Sequence, residues 1–250
     1  MLTETDMING ATEQRTEEIL AFLMVGQSNM AGRGDIGEVE PIDNPECLMF
    51  RMGMWQPMTE PINIDKSANA GFVPGIGLAA SFADSLQKQT GRKIGLIPCA
   101  QGGSTIEQWQ PGEALYDNAV FTAKLALRNA KFGGILWHQG ESNCKNCDMG
   151  DYREKFMNTM CNMRREFDAL DLPLIVGEIS ESIGESWELG DWTRKFNLLL
   201  KELAIQQPCC AVASQEGLSL RPDGIHFDAK SCRVFGKRYF EQYITLVSSL

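Results

Sequence analysis

Residues 19–25, Ile-Leu-Ala-Phe-Leu-Met-Val, form an unbroken apolar run closed by Gly26. A run with no polar alternation has no face to offer water, so as a strand it must be covered on both sides, as an interior strand of a parallel sheet is. Lys93–Ala100 and Gly133–Trp137 repeat the pattern, each running into a polar turn that carries glycine, and Leu174–Val176 and Cys210–Ala213 are shorter strand candidates. Helical patterns lie between and beyond them at Ile76–Gln89, Ala114–Lys131, Tyr152–Leu170, Trp192–Gln206 and Ala229–Leu246. Strands alternating with helices predict a parallel sheet with helices on both faces. At 250 residues, 43% of them hydrophobic, the chain can fill one large core, and no linker or repeat divides it. One domain over residues 1–250 is expected, with 1–18 a polar N-terminal extension. Asp35–Gly75, rich in Pro, Met and Gly around the short run Cys47–Phe50, reads as a long loop near the site.

Two segments at opposite ends of the chain carry reactive groups. Gly26-Gln27-Ser28-Asn29-Met30 puts Ser28 just past the C-terminal end of the first strand, the sheet edge where open α/β folds bind ligands. Only two histidines occur, His138 and His226, and only His226 has a carboxylate, Asp223, three residues before it. Held on a loop, which Pro222 favours, Asp223 can reach Nδ1 and leave Nε2 to take a proton from a serine hydroxyl. Each segment alone also has a plain reading, with Ser28 capping a helical turn in an ordinary polar loop, and Asp223 or Asp228 capping the last helix beside a surface His226. Two more loops reach the same edge. Gln101-Gly102-Gly103-Ser104 offers backbone N–H groups to a close ligand, as half of an oxyanion hole does, and His138-Gln139-Gly140-Glu141-Ser142-Asn143 offers a side-chain amide. Each alone is more often a connecting loop without chemistry.

In this order, and across about residues 19–243, Gly26–Gly34, Pro98–Ser104, Trp137–Ser142 and Asp223–Phe227 resemble the blocks of the SGNH (GDSL-like) hydrolase superfamily. The likeness is to the branch that holds carbohydrate esterase family six acetylxylan esterases and sialate O-acetylesterase-like proteins. The resemblance implies a three-layer α/β/α sandwich, flavodoxin-like, around a mostly parallel sheet of about five strands. It implies Ser28 as nucleophile, His226 as general base and Asp223 as its orienting carboxylate. The oxyanion would be held by the Ser28 N–H, the Gly103 N–H and the Gln139 side-chain amide, with Gly102 the alternative register for the glycine. Gln27, Asn29, Gly102, His138 and Glu141 are the further residues expected at the pocket. The implied reaction removes O-acetyl groups from acetylated carbohydrates, acetylxylan or its oligosaccharides first, without cofactor or metal. Sialate O-acetylesterase, short-chain lipase or thioesterase, and a non-catalytic carbohydrate-binding protein are the alternatives.

The remaining features bound these readings. With 23 basic and 33 acidic residues the net charge is −10, which disfavours nucleic acid or an anionic membrane as partner. Residues Met1–Glu18 lack the apolar core of a signal peptide and no run approaches a membrane span, so a cytoplasmic location is expected. Cys144-Lys145-Asn146-Cys147, with Cys161 and His138 nearby in sequence, raises a zinc, redox or disulfide site, but one Cys-x-x-Cys without a second pair more simply gives ordinary loop cysteines. Glu141 and Glu178 both follow strands, and as a carboxylate pair would suit a glycosidase. The plainer expectation has Glu141 bracing its own loop through backbone N–H groups.

Overall fold

The computed structural model describes residues 18–65, 73–144 and 148–248. Seven strands, β1 Leu20–Gly26, β2 Cys47–Arg51, β3 Met54–Pro57, β4 Ile94–Pro98, β5 Lys131–His138, β6 Leu174–Gly177 and β7 Cys210–Ala213, form one sheet in the order β3-β2-β4-β1-β5-β6-β7. All neighbours pair in parallel except the antiparallel β2–β3 edge. The expected α/β architecture is therefore present with two more strands than anticipated. Both come from the segment read as a loop, where Cys47–Arg51 pairs with β4 and turns back through Met52 and Gly53 into β3. Met52 takes the left-handed conformation at this turn (φ 54°), as does Gly53 (φ 78°). Its short strands carry too little apolar length to stand out in sequence, and only pairing with β4 makes them strands.

The helices are α1 Ser28–Ala31, α2 Ala79–Thr90, α3 Ala114–Ala126, α4 Met149–Glu166, α5 Ser182–Ser186, α6 Trp192–Gln206 and α7 Ala229–Val247. Successive residues of β1 point to opposite layers. Leu20, Phe22 and Met24 join the core under α2 and α7, while Ala21, Leu23 and Val25 join the core under α3, α4 and α6. Each large side chain so covered contributes roughly 1.5–3 kcal/mol of burial, and this two-sided demand is what places β1 at the centre of the sheet. Gly91, left-handed at φ 67°, ends α2 by returning its N–H to Gln87. The Asp228 carboxylate caps α7 by accepting from the Ser231 N–H. Among the described residues no helix is long and apolar enough to cross a membrane.

Candidate active site

The C-terminal ends of β1, β4 and β5 converge because their ends are tied by backbone. The Gln27 N–H donates to His138 O at 2.8 Å and the Gln101 N–H to Gly26 O at 3.0 Å. Gly26 lies at φ +122°, and a Cβ there would stand 2.1 Å from His138 O. Only glycine permits this approach, which brings α1 against the loop after β5.

Ser28 opens α1, and the loop before α7 reaches over it. Asp223 Oδ1 accepts the N–H groups of Ile225 and His226, both at 2.9 Å, and its Oδ2 lies 3.0 Å from His226 Nδ1. On the other side of the ring, His226 Nε2 is 2.9 Å from Ser28 Oγ. A carboxylate at Nδ1 fixes that nitrogen as the donor, so Nε2 accepts from the serine hydroxyl. Burial by itself would raise the Asp223 carboxyl, but the His226 N–H, the ring and the Ile225 N–H hold it below the ordinary carboxylate range. The two roles that the sequence left open for aspartate are thus split, with Asp223 on the imidazole and Asp228 on the helix cap. Ser28 and His226 are 6% and 4% exposed.

The glycine loop separates its two candidate donors. The Gly102 N–H is taken by Asp65 Oδ2 at 2.7 Å, so Gly102 is a held position and not a free donor. Gly103, exposed at φ +76° with nothing within 4 Å of a Cβ position, has an N–H with no hydrogen-bond partner among the described residues, as does Ser28. Gln139 departs from expectation. It is fully buried, and its Nε2 faces Asn143 Oδ1 at 2.6 Å, Ser104 O at 3.1 Å and Gln27 Oε1 at 3.2 Å. Two hydrogens for three acceptors leave none to offer an oxyanion, so in this arrangement Gln139 ties loops together.

The other residues expected to line the pocket are likewise inside the scaffold. Gln27 Oε1 also accepts the N–H groups of Gly140 and Ser142. His138 lies in the core against Phe227 and Phe235, its Nε2 3.0 Å from Glu141 Oε1. Glu141 meets the side chains of His138 and Asn29 first, and the loop N–H of Glu141 itself, the kind of contact anticipated, adds to them. Burial would raise its carboxyl, but the charge and hydrogen bond of the His138 ring, with Asn29, hold it below the usual range. Glu178 is buried too, paired with Lys201 at 2.7 Å and accepting the Gln215 N–H. Neither carboxylate is exposed at the edge as a glycosidase pair would be. Cys144 is buried, its thiol 3.4 Å from Gly140 O, and Cys147 lies outside the described residues.

Sequence reading missed the support supplied by residues 61–65. Asn63 exchanges two hydrogen bonds with the Ala100 backbone, at 2.9 and 3.0 Å, and Asp65 pairs with buried Arg33 at 2.6 Å while holding Gly102. Arg33 follows Ser28 closely enough to have been a signal. Its partner lies 32 positions on, in the segment read as a loop.

A profile of the family described as carbohydrate esterase, sialic acid-specific acetylesterase (SASA) matches residues 18–245. A probable carbohydrate esterase of Arabidopsis thaliana is 29% identical over 247 residues, covering 90% of each chain. The structure solved for that Arabidopsis protein superposes with a TM-score of 0.77 at 25% identity, over 92% of this chain and 98% of the other. NanS superposes with a TM-score of 0.76 at 16% identity, over 94% and 99% of the two chains. A carbohydrate acetylesterase from Xanthomonas citri gives 0.65 at 20% identity, over 93% of this chain and 57% of its own. The last two likenesses speak for the fold.

Proposed function

The chain belongs to the SASA family of carbohydrate esterases, and on that footing we propose that it is a serine acetylesterase of the acetylxylan esterase kind, removing O-acetyl groups from neutral acetylated sugars through an acetyl-enzyme. The observation that carries this reading is the unbroken line of hydrogen bonds from Asp223 through His226 to Ser28. Ser28 Oγ attacks the acetyl carbonyl carbon as its proton passes to His226 Nε2, and Asp223 steadies the imidazolium. The negative charge moves to the carbonyl oxygen, for which the Ser28 and Gly103 N–H groups are the donors. Collapse breaks the ester bond, and His226 returns the proton to the departing sugar oxygen. Water then attacks the acetyl-enzyme by the same proton path, releasing acetate and restoring Ser28.

The net charge of −10 favours a neutral sugar over an anionic one, since the protein's field lowers the local concentration of anions. Acetylated xylo-oligosaccharides are therefore the first substrate and O-acetylated sialic acid, named in the family's description, the second. The test is acetate release from both, beside an activated acetyl ester, by wild type and by Ser28→Ala. Release by wild type with loss of about 10⁴–10⁶ in the variant is the expected result. An active Ser28→Ala would overturn the nucleophile, and faster turnover of the sialate would overturn the neutral-sugar preference.

A further inference from the structure

Asn29 directly follows Ser28, yet its side chain turns inward and is 2% exposed. Its amide meets the chain on both sides of His226. Nδ2 donates to Ile225 O at 3.2 Å, and Oδ1 accepts the Phe227 N–H at 3.1 Å. Nδ2 also donates to Glu141 Oε1 at 2.6 Å. That same carboxylate oxygen lies 3.0 Å from His138 Nε2, and the other nitrogen of the ring is 3.4 Å from the Tyr239 hydroxyl, which donates to Trp137 O at 2.8 Å. One amide thus joins the start of α1, the loop after β5 and the loop before α7. Its orientation is unique, because a flipped amide would set its oxygen against Glu141 Oε1 and Ile225 O.

We propose that Asn29, oriented by Glu141 and His138, is the positioning residue that sets His226 at hydrogen-bonding distance from Ser28. The inference rests on the Ser28–His226–Asp223 reading above. Fixing the carbonyl before His226 and the N–H after it fixes the peptide planes on either side, and so the direction in which its Cβ leaves the backbone. Asp223 then sets only the rotation of the ring. Glu141 acts as a hydrogen-bond acceptor for two donors, so what it must supply is an oxygen at Oε1. Glutamine in its place keeps that oxygen, whereas alanine leaves Asn29 Nδ2 and His138 Nε2 buried without it.

The experiment measures kcat and KM on an activated acetyl ester for wild type, Ser28→Ala, Asn29→Ala, Glu141→Ala, Glu141→Gln and the Asn29→Ala/Glu141→Ala double variant, with ¹⁵N-histidine NMR on each. The chain has only two histidines, so the imidazole of His226 is read directly. Asn29→Ala and Glu141→Ala are expected to lower kcat by about 10²-fold, the usual consequence of a misplacement near 1 Å, with KM nearly unchanged and the His226 ring signals shifted. The double variant should lose clearly less than the two single losses combined, because both remove the Asn29–Glu141 contact, and Glu141→Gln should restore most of the loss. If Asn29→Ala does not fold, Asn29→Ser carries the same expectation. Unchanged kcat, additive losses, or a Glu141→Gln as slow as Glu141→Ala would each overturn the inference. An inactive wild type would sink the esterase reading alone, since the NMR signals report the positioning without turnover. His226 signals indifferent to Asn29→Ala would sink the inference alone.

Discussion

Replacing Asp65 by Asn measures what the buried pair with Arg33 does for the fold. Both side chains are almost wholly out of water at 2.6 Å, and Asp65 Oδ2 also accepts the Gly102 N–H. Asparagine keeps the shape and an oxygen for both donors but removes the charge, leaving the guanidinium buried without a counter-ion. The attraction lost between unit charges about 4 Å apart is about 4 kcal/mol at an effective dielectric constant of about 20. Removing one partner of a buried pair typically costs about 3–5 kcal/mol. For a chain of this size each kcal/mol moves Tm by about 2–4 °C, so Asp65→Asn should lower Tm by about 6–20 °C. Thermal and urea unfolding at pH 7, followed by circular dichroism, reads the difference. The double variant Arg33→Met/Asp65→Leu removes both charges and should recover most of it, less about 1 kcal/mol for the acceptor that Gly102 loses. A single-variant cost below about 1 kcal/mol, or a double variant no better than the single, would refute the reasoning.

Gly26→Ala sets a Cβ 2.1 Å from the His138 carbonyl at φ +122°, and the overpacking and backbone strain together should cost about 3 kcal/mol or more. Soluble yield and Tm check it, and a wild-type Tm would contradict the close approach of β1 and β5. Asp223→Asn should leave the fold intact and drop kcat on an acetyl ester by about 10⁴, because the neutral amide no longer enforces the His226 tautomer. A loss under tenfold would mean the carboxylate does not orient the ring. The carboxyls of Asp223 and Glu141 lie below their unfolded values in the native protein. Their contribution to stability is therefore complete above the ordinary carboxylate range, about pH 4, and is lost as pH falls through the lower native values. Urea midpoints should fall below about pH 4, and a midpoint rising from pH 5 to pH 3 would reverse that sign.

The sequence by itself determined the layered α/β fold and the segments that meet at the sheet edge. Ile19–Val25 has no face for water, so β1 had to be central, and a residue directly after such a strand had to stand at its C-terminal edge. The short spacing from Asp223 to His226 likewise put a carboxylate within reach of the ring, because a loop of that length cannot separate them far. What the tertiary structure decided is which groups remain available once the loops are packed. Asn29, Gln139, Glu141 and His138 look like pocket residues in a string of polar letters, but convergence of the β1 and β5 ends buries them, and buried polar groups must satisfy one another. That requirement consumed the Gln139 amide and gave the Gly102 N–H to Asp65. Asp65 and Arg33 lie far apart along the chain, and β2 and β3 acquire strand character only by pairing at the sheet edge. Local sequence fixes periodicity and short-range reach, whereas the partner of a buried donor depends on which distant segments the fold brings beside it.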